Sequence, residues 1–330
     1  MRHRSADRNT LEWANVAVLV ACIMGAGCSQ ETDPAGSDGS DIAGTLPHYP
    51  EPTELLPELK VLEPASGGRK LFTDVVELGP LEDVTYCTFM DGITDQVSYI
   101  HSSRATQSRY GHHAVMYYSV EPQEPGTGDC GDMEKLRMVL GGTEESFDLP
   151  ERVVTEVPTG VQLVINHHWI NYGDEPARVQ AMMVADPPMT DEELVVARSR
   201  AVVATDWELS PGEVTTATTD CVYEQDTPVV MTLGHEHQWG THVRAEVVRA
   251  DGQIDMLFDH PFSPEMESNP RVFYYPVETP LMIRAGDAIR FTCEWMNDTA
   301  ETVRFPREMC VFFSNTLGGD DGTCINGKWL

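Results

Sequence analysis

The chain has 330 residues and a formal net charge of −31, with 53 acidic side chains against 22 basic ones. That balance excludes a nucleic-acid binder, which needs a basic footprint against the phosphates, and it reads as solubility and colloidal repulsion. With 41% hydrophobic residues the sequence can build real cores, and its length allows two domains.

Residues 1–28 read as a targeting segment. Arg2, Arg4 and Arg8 make a basic start, and the apolar stretch over residues 16–24 is too short to span a bilayer as a permanent helix. Small residues Gly25, Ala26 and Gly27 then lead to Cys28. This resembles a bacterial lipoprotein signal with Cys28 as the lipidated residue, although Gly25 stands where a leucine-like residue is usual. The expectation is a lipoprotein of the bacterial cell envelope, with plain secretion or a retained anchor as the alternatives. Membrane contact is then through the lipid anchor alone. Residues 29–68, rich in Asp, Glu, Gly, Ser and Pro, read as a flexible tether.

Beyond the tether, short β-like runs alternate with turn signals, as in HAVMYYSV, VQLVINHHWI, ARVQAMMVA, PVVMTLGHEH and VFYYPV. In VRAEVVRADGQIDMLF, Asp251-Gly252 sits between two alternating segments and predicts a hairpin. MEKLRMVL and DEELVVARS are the fair helix candidates. The pattern predicts an all-β chain of two tandem jelly-roll-like β-sandwich domains. The acidic, proline-containing stretch over residues 186–193 divides them into 69–190 and 191–330.

Of the eight cysteines, Cys22 and Cys28 lie in or at the end of the signal, which leaves Cys87, Cys130, Cys221, Cys293, Cys310 and Cys324. An even number in an exported chain suggests three disulfides. The absence of any C-x-x-C pair argues against a cysteine-rich zinc site.

Histidines concentrate in three places: His112-His113, His167-His168 and His235-Glu236-His237. On a strand, residues i and i+2 share a face, so His235 and His237 project together and Glu236 projects oppositely. A chance pair on an exposed strand is the competing reading, and a third ligand decides against it. Met309 is the candidate, set against the reading of an ordinary core methionine. If its neighbour Cys310 bridged to Cys293, a loop of about 17 residues would close, worth about 3 kcal/mol in the chain-entropy model, and Met309 would be pinned beside the sheet. Two imidazoles and a thioether make a soft site suited to Cu(I). His112 and His113 face opposite ways on a regular strand, so joint ligation needs a bulge or strong twist. Together with one of His167 and His168 they would supply three imidazoles, a harder set that Cu(II) tolerates.

At this point the motifs resemble a family, the copper type II, ascorbate-dependent monooxygenases typified by peptidylglycine α-hydroxylating and dopamine β-monooxygenases. GHHAVMYYS, LVINHHWIN, GHEHQWG and REMCVFF resemble its ligand segments, and FYYPVETPLMIRAGDAIRFTCEW the stretch before a bridged cysteine, in the family's order over roughly residues 80–325. The register of the second segment selects His168 over His167. The resemblance implies two coppers per chain, one on His112, His113 and His168, the other on His235, His237 and Met309. It implies disulfides Cys87–Cys130, Cys221–Cys324 and Cys293–Cys310. It also implies two jelly-roll-like sandwiches whose coppers face each other across a solvent-filled cleft. The methionine site would activate dioxygen against a substrate C–H bond, with ascorbate or a similar one-electron donor reducing both metals.

Where peptide-processing members carry an arginine, this chain has Leu233; where they carry a tyrosine and an asparagine, it has Phe313 and Val311. Tyr86 is an approximate counterpart of a family tyrosine. Leu and Phe cannot grip a carboxylate, so a small, apolar or weakly polar substrate is expected. The alternatives are a non-catalytic copper-binding or copper-delivery lipoprotein and a structural surface sandwich with incidental histidines. His101, His242 and His260 carry no assigned role.

Overall fold

The computed structural model describes residues 45–330 apart from positions 132, 143, 145, 146 and 306. The signal segment, Cys22, Cys28 and residues 29–44 lie outside these. The regular structure of the described residues is almost wholly strand, with one short α-helix, Glu265–Ser268, and a single 3-10 turn, Met133–Lys135. Among the described residues no helix is long and apolar enough to cross a membrane.

Alternation along each strand sorts side chains between two cores. The first core lies among three sheets. One is five-stranded, with Gln162–Ile170 at its centre between Gly111–Ser119 and Asp83–Phe89; the second is four-stranded and includes Ala181–Asp186 and Ser102–Gln107. Ala114, Met116, Tyr118, Leu163 and Ile165 from the first meet Leu71, Ala105 and Met183 from the second. Val153, Val157 and Ala197 close this core from a third, nine-stranded sheet.

The nine-stranded sheet also walls the second core. Its strands Thr227–His235, Val311–Leu317 and Val195–Val203 face a four-stranded sheet of Val214–Val222, Ala288–Met296, Gly240–Val248 and Ile254–Pro261. Val202, Val229 and Phe312 pack there against Val243, Phe258, Phe291 and Trp295. Val195–Val203 pairs in parallel with Val153–Val157, so one sheet holds strands from both sides of the 186–193 stretch and joins the two sandwiches.

Three disulfides close, Cys87–Cys130, Cys221–Cys324 and Cys293–Cys310. Such bonds persist in oxidising compartments, so the chain is an exported protein. The Asp251-Gly252 hairpin forms, with Gly252 at φ 89° and Val248 paired to Ile254.

Two sequence expectations are corrected. The helix candidates are extended: MEKLRMVL gives the 3-10 turn and the strand Leu136–Gly142, and DEELVVARS runs into Val195–Val203. Valines at 139, 195 and 196 suit a pleated surface, and strand pairing, on one side for Leu136–Gly142 and on both for Val195–Val203, overrides a weak helical preference. The tether is also shorter than expected, because residues 45–68 pack on the body. Leu56, Leu59 and Leu62 bury against Phe72, Met182 and Val184, and the Leu56 amide donates to Gln180 Oε1 at 3.1 Å.

Candidate metal centre

His113 and His168 sit directly opposite each other on adjacent strands. Their side chains leave the sheet on the face shared with Val115, Asn166 and Thr85, away from the first core. His112 would point into that core on a regular strand. Instead the pairing skips it, since His168 faces His113 and Trp169 faces Gly111. Tyr110, at φ 66°, and Gly111 set up this bulge. The extra residue turns His112 to the His113 side, and the two Nδ1 atoms come within 3.1 Å. Ring centroids of His112 and His113 lie 4.5 and 5.3 Å from that of His168. Ligand atoms of the three lie within 4.8 Å of one another.

His167 is excluded from this set by its bonds. Trp169 Nε1 donates to its Nδ1 at 2.6 Å, so its Nε2 donates to Thr88 Oγ1 at 3.0 Å. Both nitrogens are committed on the opposite face.

In the second half, Met231, Leu233 and His235 share one face of their strand and line a cavity of about 660 Å³. Leu233 is paired with Phe313 across the strands, and His235 with Val311. His112, His113 and Met309 line the same cavity. His237 follows the strand end, with its ring 5.1 Å from that of His235. The buried Glu308 carboxylate ties this corner together by accepting the backbone amides of His237, Trp239 and Met309. A single side chain thus holds the His-x-His loop against the methionine segment, and the Cys293–Cys310 bond fixes the next residue to the facing sheet. Burial pushes the Glu308 carboxyl up to about 7, against the pull of those amides.

His168 Nε2 donates to Asp83 Oδ1 at 2.7 Å, and His237 Nδ1 donates to the Arg307 carbonyl at 3.1 Å. Each bond fixes the tautomer and leaves a lone pair on the other nitrogen. Those nitrogens, His168 Nδ1 and His237 Nε2, are buried without a hydrogen-bond partner among the described residues. A buried acceptor left unpaired costs about 1–3 kcal/mol, and a metal ion offsets that cost. A carboxylate or carbonyl behind a ligating imidazole is the usual support of a metal site. Burial depresses His113 well below its usual range and lowers His235 to about 3 and His237 to about 4. Neutral imidazole is the ligating form. His112, His113 and His168 form one group that can hold a metal ion, and His112, His237 and Glu267 another.

One expectation fails here. The two ligand sets were expected to face each other across open water, yet the His112 and His237 rings lie 4.6 Å apart and those of His168 and His237 6.0 Å. The shared sheet brings both sandwiches close enough for the rings to touch. Three partners carried no sequence signal: Asp83, the Arg307 carbonyl, and Glu267 on the short helix, whose Oε1 contacts His112 Nε2. Asp83 reaches His168 through the observed strand register, because Thr85 pairs with His168 and Asp83 lies two residues away on the same face.

No family model matches the chain, and no curated protein matches it. Among solved structures it is similar to the major capsid protein P2 of bacteriophage PM2, at 9% identity and a TM-score of 0.31, over 72% of this chain and all of that one. It is also similar to a protein from Parabacteroides distasonis described as secreted, at 6% identity and a TM-score of 0.20, over 80% and 93% of the two chains. Likenesses this distant carry no functional argument.

Proposed function

We propose that the protein is a copper-dependent monooxygenase that hydroxylates a C–H bond of a small, non-carboxylate organic substrate. Dioxygen and ascorbate, or a similar one-electron donor, would be its co-substrates. The observation that carries this reading is the pair of orphaned, tautomer-fixed nitrogens, His168 Nδ1 and His237 Nε2, set beside a cavity that also receives His112, His113, His235 and Met309. His112, His113 and His168 would hold one copper; His235, His237 and Met309 would hold the other. A thioether among imidazoles selects copper over harder ions. Bound copper supplies one-electron chemistry with dioxygen.

The chain's own residues do the rest. Asp83 and the Arg307 carbonyl orient two of the imidazoles, and Glu308 holds the His237 loop against Met309. Leu233, Phe313 and Met231 give the cavity an apolar wall beside His235, suited to a substrate without a carboxylate. Export and a lipid anchor at Cys28 would place this chemistry at the cell envelope.

A second reading, a non-catalytic copper-binding or copper-delivery lipoprotein, is favoured by the ring contact that closes the space between the two ligand sets. Dioxygen uptake by copper-loaded, ascorbate-reduced protein separates the two. Substrate-stimulated uptake with a hydroxylated product from a panel of small apolar compounds supports the enzyme. Uptake that yields peroxide alone, indifferent to every substrate, supports the carrier. Binding of fewer than two coppers per chain overturns the two-site assignment.

A further inference from the structure

His112 has two ring nitrogens, and they face different ligand groups. Its Nδ1 lies 3.1 Å from His113 Nδ1, within the three-histidine set. Its Nε2 is turned the other way, onto Glu267 Oε1. His112, His237 and Glu267 form a second group whose ligand atoms all lie within 4.8 Å of one another. The two groups share His112 and nothing else. Each also contains a buried imidazole nitrogen with no hydrogen-bond partner, His168 Nδ1 in the first and His237 Nε2 in the second. The chain therefore offers two adjacent metal positions on opposite edges of one imidazole.

We infer that His112 is a bridging ligand, with one copper on its Nδ1 beside His113 and His168 and a second, oxidised copper on its Nε2 beside His237 and Glu267. This rests on the copper reading above and adds a carboxylate donor and a shared ring to it. His237 has one free nitrogen, so this oxidised ion takes His237 in place of the His235–Met309 arrangement, and the chain still binds two coppers. Imidazole and carboxylate oxygen suit Cu(II), whereas the thioether suits Cu(I). An imidazole metallated on both nitrogens is an imidazolate. Neutral His112 therefore gives up its one ring proton to solvent when the second Cu(II)–N bond forms, and no electron is transferred.

The position of Glu267 supports the assignment. The Glu265–Ser268 helix lies after the Ile254–Pro261 strand in the second sandwich, yet its Glu267 reaches a histidine of the first. The side chains of His112 and Glu267 are 5% and 13% exposed. A carboxylate drawn that far out of solvent is stabilised in its charged form by a cationic partner. Copper supplies that partner without protonating the ring.

The test is titration of the metal-free full chain with Cu(II) alone, followed by electron paramagnetic resonance at one and two equivalents. An imidazolate bridge couples the two unpaired spins. The first equivalent should give one spin per copper. The second should drop the integrated intensity well below half of the bound copper and bring up a half-field transition. Glu267→Gln should bind the first equivalent unchanged and weaken the second by 10-fold or more, with the lost intensity restored. Glu267→Ala serves as a second variant, and circular dichroism of the metal-free forms checks folding. Two bound coppers with full, uncoupled spin intensity in the unsubstituted protein would overturn the bridge and leave the copper reading standing. Failure to bind copper at all would remove both.

Discussion

His112 and His237 touch, their ring centroids 4.6 Å apart, although one leaves a strand of the first sandwich and the other follows a strand of the second. Contact between them makes the candidate centre a property of the whole body rather than of either half.

The two neighbouring histidines of the Gln162–Ile170 strand should behave differently. His168→Ala removes a nitrogen with no protein partner and should eliminate one copper from the metal-loaded protein. His167→Ala should keep both coppers. It breaks bonds to Thr88 and Trp169 and leaves a void, and should cost about 2–3 kcal/mol of stability. Metal analysis and thermal unfolding of both variants check this. Loss of copper from His167→Ala alone would show that the ligand register is displaced by one residue.

Met309→Ala should abolish substrate hydroxylation while the copper on His112, His113 and His168 stays bound. Truncation leaves the Glu308 bond to the residue 309 backbone amide intact, so the loop geometry should survive. Product analysis paired with copper stoichiometry gives the answer, and full turnover by the variant would remove the thioether from the site.

Asp83→Asn keeps the shape but takes away the charged acceptor at His168 Nε2. Loss of such a support lowers metal affinity by about 10–100-fold. Competition with a copper chelator should show that loss at one of the two sites. Equal weakening at both, or at neither, would mean that Asp83 does not act through His168.

A separate acid sensitivity comes from the far end of the second sandwich. Burial pushes the Asp287 carboxyl up, but Arg249 and the amides of Arg284 and Ala250 outweigh it and hold the group below its ordinary 3.8. The folded state therefore binds this proton less readily than the unfolded chain. Its contribution is complete above the ordinary value and is lost as pH falls through the lowered one. Asp287→Asn should cost about 2 kcal/mol at neutral pH, and the gap between variant and parent melting temperatures should narrow below pH 4. A gap that stays constant into acid would sink the assignment.

The strands were legible because apolar alternation and turn residues report local geometry directly, as the Asp251-Gly252 hairpin shows. His235 and Met309 line one cavity, whereas His237 lies beyond the end of the strand on which alternation was to pair it with His235. The helix candidates misled because MEKLRMVL carries helix-favouring side chains while pairing with Gly111–Ser119, which local propensity does not report, makes it a strand. Leu56, Leu59 and Leu62 were hidden for a related reason. A proline-rich, acidic stretch looks solvated until the surface that receives it is known.

By itself the sequence determined the residue types that bear the chemistry, the all-β architecture and the supply of six cysteines for three bonds, since each follows from local pattern or composition. Tertiary structure alone decided that His112 turns out of the core at a bulge, that Asp83, Arg307 and Glu267 close around the imidazoles, and that no water gap separates the two histidine groups. Those outcomes depend on register between distant strands and on a sheet common to both sandwiches, and no spacing along the chain encodes either.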